Sequence, residues 1–163
     1  RDSLKEIRET ADIIIDTSQK TVHELARQVE SYFTGDKKSE LNVTVQSFGF
    51  KYGVPIDSDL LFDVRFLKNP YFEESLRDKT GQDKEVVDYV FSDERTGVFL
   101  EKLKDMLNFL LPSYKTEGKK FLTISVGCTG GKHRSVALAE NISAYLQKDK
   151  KLKVITNHRD INR

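Results

Sequence analysis

The residues best placed to do chemistry lie in one stretch, Gly127-Cys128-Thr129-Gly130-Gly131-Lys132-His133-Arg134-Ser135. Its glycines let the backbone turn tightly and approach a ligand closely. Lys132, His133 and Arg134 add donors and charge, and Thr129 and Ser135 add hydroxyls. The apolar run "KFLTISV" precedes the stretch and "VALAENISAYL" follows it. That order predicts a strand, a loop, then a helix whose free N–H groups and dipole favour an anion. Ligands in open α/β sheets bind at such strand ends. The expected ligand group is a phosphate, with Cys128 through Ser135 as its candidate contacts.

Two enzyme signatures come near this loop. A nucleotide P-loop starting at Gly127 requires glycine at 132 and lysine at 133; the chain has Lys132 and His133. The spacing excludes it. A cysteine phosphatase pattern, C-x-x-G-x-x-R-[ST], fits Cys128, Gly131, Arg134 and Ser135. There a Cys128 thiolate attacks, its pKa lowered by the helix N-terminus and nearby cations. Arg134 holds the phosphate bidentately, and Asp57, Asp59 or Asp63 is the candidate acid for the leaving group. Against it, Gly127 stands where such enzymes usually carry histidine, and no aspartate sits in a recognisable acid loop. A lone cysteine is more often a small packing residue. The leading expectation is a binding cradle without catalytic residues; the alternative is a phosphatase using Cys128 and Arg134.

Other residues carry a functional and a structural reading side by side. Asp63 and Arg65, two apart on an expected strand, share a face; they reach the pocket or form a buried salt bridge that braces the sheet. Lys51 and Tyr52 sit at an expected strand-to-loop corner and either touch a ligand or shape the turn. His133 touches phosphate or caps the helix, and His23 is expected to be structural. Lys148, Lys150, Lys151, Lys153, Arg159 and Arg163, against Asp149 and Asp160, form a basic segment in a chain whose net charge is only +1. It is a solvated end, or an RNA contact if the charges form one stripe.

These residues need a scaffold, and the pattern of the chain supplies one. The 163 residues are 37% hydrophobic and 33% charged, a globular balance. No apolar run is long enough to span a membrane, no signal peptide is visible, and one cysteine excludes an internal disulfide and any site built on cysteine pairs. No metal site is expected, and the chain is expected to be cytoplasmic. Strands are expected at "LNVTVQSFGF", "LLFDVRF", "KFLTISV" and "LKVITNH". Helices are expected at "EVVDYVFS", "GVFLEKLKDMLNFLLPSYKTEG" and "VALAENISAYLQKD", the second with an apolar stripe of Phe99, Leu103, Met106, Leu107 and Leu110 and a Pro112 that kinks or ends it. Strands alternating with helices predict an α/β domain with a single, mostly parallel sheet. Before it, residues 1–35 read as a helix, a buried strand at "DIIIDTS", a helix capped by Thr21 and Glu24, and a linker. They look like the tail of an upstream domain, with 36–163 as the main domain.

The segments "GFKYG", "DLLFDVRFLKNP" and "GCTGGKHRS", with "HRD" after them, resemble the RapZ/YvcJ family of bacterial nucleotide-binding proteins, over nearly the whole chain. The resemblance implies an N-terminal ATP/GTP-binding P-loop domain, of which 1–35 would be the remnant, joined to a C-terminal regulatory domain whose fold is like a phosphofructokinase subdomain. No cofactor is then expected in this fragment, and ATP or GTP in the domain before it. It implies a homo-oligomer that senses an amino-sugar phosphate, binds small RNA, and acts on amino-sugar metabolism through an RNase and two-component proteins. Thr129, Gly130, Gly131 and Arg134 would hold the phosphate. Two positions depart from the RapZ pattern: Tyr71 stands where a histidine follows Asn-Pro, and Asp160 interrupts the basic tail.

Overall fold

Val43, Val45, Leu122, Ile124 and Val126 fall at every second position of their segments and are buried, and this two-residue period builds a sheet with one face turned to the core. The computed structural model describes residues 41–163 and, before them, residues 10, 11, 13–15, 17, 18, 21, 22, 25 and 29. By contacts the chain divides into Arg1–Lys38 and Ser39–Arg163.

In the first unit, Val22, Leu25 and Val29 are helical and follow Thr21. Ile13, Ile14 and Ile15, expected in a buried strand, are not in one, and Ile13 and Ile14 are 42% and 55% exposed. An apolar run becomes a strand only beside partner strands, and none of the described residues of this unit is in a strand. Glu24 and the expected linker at 34–40 lie outside the described residues.

The second unit is a four-stranded sheet with three α-helices. The strands are β1 (Leu41–Gly49), β2 (Leu60–Asp63), β3 (Phe121–Cys128) and β4 (Leu152–His158). Their order is β2-β3-β1-β4, and every pairing is parallel. The expected α/β class and parallel sheet are therefore both present. The helices are α1 (Lys84–Phe91), α2 (Glu94–Glu117) and α3 (Arg134–Leu146). Their buried residues join the Val43, Val45, Ile124 and Val126 face in one core, with Leu138, Ala139 and Ile142 of α3 against the middle of it. The β1–β2 connection has no α-helix. It crosses the other face, where Ser58 Oγ lies 2.6 Å from Ser125 Oγ and Phe50 packs beside Gly127.

Three expectations shift in detail. β2 stops at Asp63, so Arg65 lies in the turn beyond it. The buried stripe of α2 is Leu100, Leu103, Leu107 and Leu111, while Met106 is 39% exposed. Phe99 instead packs at the rim of the core, edge-on to Phe62 and Phe66. Pro112 does not end α2, which runs on to Glu117 and closes at Gly118, φ +89°. At its start, the Asp93 side chain accepts the N–H groups of Arg95 and Lys68, satisfying one of the donors a helix leaves open.

Candidate anion-binding site

All four parallel strands point their carboxyl ends the same way, and register aligns Gly49 with Cys128, Ser47 with His158 and Asp63 with Gly127. The loops that follow them enclose a cavity of about 730 Å³. The β1 loop contributes Lys51 and Tyr52, the β2 loop Asn69, Tyr71, Phe72, Arg77 and Asp78, the segment from Cys128 to Arg134 all its residues but Gly131, and the β4 turn Arg163. Five cations line it (Lys51, Arg77, Lys132, Arg134 and Arg163) against the single carboxylate of Asp78.

Gly130 lines the cavity, and directly behind it glycine is stacked on glycine. Gly131 has φ +76°, and a Cβ there would come 2.6 Å from the Gly49 nitrogen; a Cβ on Gly49 would come 2.6 Å from the Gly130 carbonyl carbon. Only glycine allows this backbone approach. Asp160, fully buried, locks the stack: its Oδ2 accepts the Gly49 N–H at 2.8 Å. Arg159 donates to that same carboxylate oxygen at 2.7 Å and to the Gly53 carbonyl at 2.7 Å. Burial resists ionisation of Asp160, but Arg159, the Gly49 N–H and Arg163 hold its carboxyl below the ordinary value. Its Oδ1 has no hydrogen bond; Arg163 approaches to 3.5 Å as a charge only.

Arg134 is 4% exposed. Its Nη1 donates to the carbonyls of Arg65 at 2.6 Å and Leu67 at 3.1 Å, and Nη2 donates to Thr129 Oγ1 at 3.3 Å. It braces the β2 loop against the β3 loop, with Nη1 fully engaged. His133 is buried, with Nε2 3.2 Å from the Arg77 carbonyl. Burial pushes the imidazole below its ordinary value. Its carbonyl and the start of α3 press on Gly81, where a Cβ would come 2.2 Å from the His133 oxygen.

Cys128 is buried; its sulfur lies 3.1 Å from Ser135 Oγ and accepts the Gly131 N–H at 3.3 Å. Of the acids considered for phosphatase chemistry, Asp57 and Asp59 lie before β2, at the opposite end of the strands from Cys128. Asp59 is level with Thr123, five residues of rise before Cys128, about 16 Å. Asp59 is bound there to Lys119 and the Thr123 N–H. Asp63 is at the right end, but Arg65 binds both its oxygens and holds its carboxyl below the ordinary range against its partial burial. No candidate acid is therefore both close and protonated.

Of the residues expected at the ligand, the cavity gathers Cys128, Thr129, Gly130, Lys132, His133, Arg134 and Tyr71. Gly131 and Ser135 are buried behind it. Asp63 and Arg65 pair outside its lining, and the pair is exposed (42% and 49%), not the expected buried brace. The basic segment is divided along β4. Lys148, Lys150 and Lys151 lie in the turn before the strand and Lys153 is its second residue, while Arg159 and Arg163 lie beyond its far end. Asn69, Phe72, Arg77 and Asp78 carry no mark in the sequence because their segment has no period. Among the described residues no group of three or more His, Cys, Asp or Glu could hold a metal ion, and no helix is long and apolar enough to cross a membrane.

A family model described as the RapZ C-terminal domain matches residues 41–162. The chain is 50% identical to "Nucleotide-binding protein YvcJ" of Bacillus subtilis, over all of this chain and 55% of that protein. It is 50% identical to "Nucleotide-binding protein DIP1313" of Corynebacterium diphtheriae, over all of this chain and 54% of the relative. It is 52% identical to "Nucleotide-binding protein CLJ_B3680" of Clostridium botulinum, over 99% of this chain and 55% of the relative. The chain thus spans about half the length of the curated relatives it matches.

Proposed function

This chain belongs to the RapZ/YvcJ family, and on that premise we propose that the cavity at the carboxyl edge of its sheet binds a phosphorylated small molecule as a regulatory ligand. The observation that carries this reading is the convergence of four strand-end loops and five cations on a glycine floor, opposed by one carboxylate. Anions are favoured where the first N–H groups of a helix are open, and α3 begins at this loop. Nucleotide binding, named for the relatives, belongs in this proposal to the part of the whole protein outside this chain, since no P-loop pattern occurs here. RNA and protein partners and homo-oligomer formation are proposals for that whole protein as well.

The test is a thermal-shift series with phosphate, an amino-sugar phosphate and a neutral sugar. Ligand at a hundred times its Kd adds about 2.7 kcal/mol, so phosphorylated compounds should raise Tm and the neutral sugar should not. Lys132→Ala should weaken the shift. Absence of a shift from every phosphorylated compound would sink the proposal.

A further inference from the structure

The exposed cations of the cavity fall into two groups on opposite sides of its glycine loop. The β2 and β3 loops supply Arg77 and Lys132, and the β1 and β4 loops supply Lys51 and Arg163. The strand order β2-β3-β1-β4 sets the two groups about two strand spacings apart, about 10 Å. Between them the Lys51 N–H donates to the Thr129 carbonyl at 3.1 Å, closing the β1 loop against the β3 loop. At charge-assisted bond lengths of about 2.8 Å, one phosphate engages one group and not the other.

Both groups are organised on tyrosine rings. Lys51 and Arg163 lie over Tyr52, 5.5 and 5.2 Å from its centre, and Arg77 lies over Tyr71 at 5.2 Å. Each ring is capped by cations, so each positions charge rather than offering a face for stacking. Among the described residues no carboxylate pairs with Lys51, Arg77 or Lys132, and Arg163 approaches Asp160 only at 3.5 Å. Like charges gathered without counter-charge repel one another, and a bound anion relieves that repulsion.

The charge balance sets the number of phosphates. The five cations of the lining, less the carboxylate of Asp78, leave a charge of +4. A phosphate monoester carries about −1.5 to −2 at neutral pH. One phosphate therefore answers about half of the excess, and two answer most of it.

Resting on the phosphate reading above, we propose that the ligand is a sugar bisphosphate. One phosphate sits on the Gly130–Lys132 turn with Lys132 and Arg77, and the other sits between Lys51 and Arg163. The sugar spans the backbone of Thr129 and Gly130 between them. Pyrophosphate carries similar charge, but its phosphates share one oxygen and stand too close together to reach both groups.

Calorimetry on the 163-residue chain with glucose 6-phosphate, glucose 1,6-bisphosphate and pyrophosphate tests this. The bisphosphate should bind at least tenfold tighter than either of the others. Lys51→Ala combined with Arg163→Ala should bring the bisphosphate-to-monophosphate ratio close to one, and Lys51→Ala alone should reduce it; melting curves confirm that each variant folds. A bisphosphate no tighter than glucose 6-phosphate overturns this proposal while the phosphate reading stands. So does pyrophosphate bound as tightly as the bisphosphate, which would make charge alone the determinant. A ratio that survives the double substitution in a folded protein overturns it too. If all three compounds fail to bind, both readings fall.

Discussion

The sulfur of Cys128 and the hydroxyl of Ser135 lie 3.1 Å apart across the base of the site loop, and the same sulfur accepts the Gly131 N–H. The thiol ties the loop to itself. Cys128→Ala should therefore lower stability by about 1 kcal/mol, the usual net worth of a hydrogen bond, read as a shift in urea midpoint at unchanged m. An aryl phosphate should not be hydrolysed by the native chain or by Cys128→Ser, because none of Asp57, Asp59 and Asp63 is placed to serve as the acid at the loop. Turnover that the serine variant loses would restore the phosphatase alternative.

Gly130 and Gly131 are neighbours with opposite tolerances. Gly131 has φ +76° and a Cβ there meets backbone at 2.6 Å, whereas a Cβ on Gly130 meets nothing within 4 Å. Gly131→Ala should cost well over 1 kcal/mol, and Gly130→Ala should melt close to the native chain. Equal melting temperatures for the two variants would contradict the stacked-glycine floor.

Asp160 holds Gly49 from behind the loop. Asp160→Ala strands the Gly49 N–H and leaves Arg159 without its carboxylate, so about 2 kcal/mol or more should be lost, together with phosphate affinity. Asp160→Asn keeps one acceptor and should fall between. Unchanged phosphate affinity in a folded Asp160→Ala protein would show that the lock does not shape the site.

Asp93 gives an acid-side signature. Arg95 chiefly, with the N–H groups of Lys68 and Arg95, holds its carboxyl at about 2 against an ordinary 3.8, burial opposing. The folded value is the lower one, so the unfolded chain binds the proton first. The stabilisation is complete above pH 3.8 and is lost as pH falls towards 2. Asp93→Asn keeps the cap and should flatten this part of the stability–pH curve. A native-like slope between those values in the Asn variant would assign the acid sensitivity elsewhere.

Lys148, Lys150 and Lys151 lie at the opposite end of β4 from the cavity. Replacing all three with alanine should leave the phosphate-induced rise in Tm unchanged. A reduced rise would mean that the two ends of the sheet are coupled.

Much of this was legible from residue type and spacing. β4 is the expected "LKVITNH", and the Gly127–Ser135 loop lies between strand and helix as its glycines and apolar flanks require. Local pattern served where one element determined the outcome. It failed where a distant contact did. Arg134 looked like a phosphate fork, but its Nη1 is held by carbonyls some 70 residues earlier. Arg163 looked like part of a basic tail, but the turn after His158 folds it back over Tyr52. Asn69 to Asp78 form a cavity wall through loop packing, which leaves no periodic trace. The α2 stripe was misphased because Phe99 and Met106 are apolar yet sit at or beyond the rim of the face that meets the core.

The lock between Gly49 and Asp160 also sets when the site can form. These residues are 111 positions apart, and the sheet between them contains only parallel pairings, each closing a long stretch of chain. Such contacts form slowly, because loop-closure entropy is lost before any contact compensates for it. The helices and the Gly127–Ser135 turn can form early from local contacts. The binding floor cannot, since its last support comes only after β4 has docked on β1. During synthesis, ligand competence should therefore trail helix formation and appear only once the segment around Asp160 has emerged and folded back.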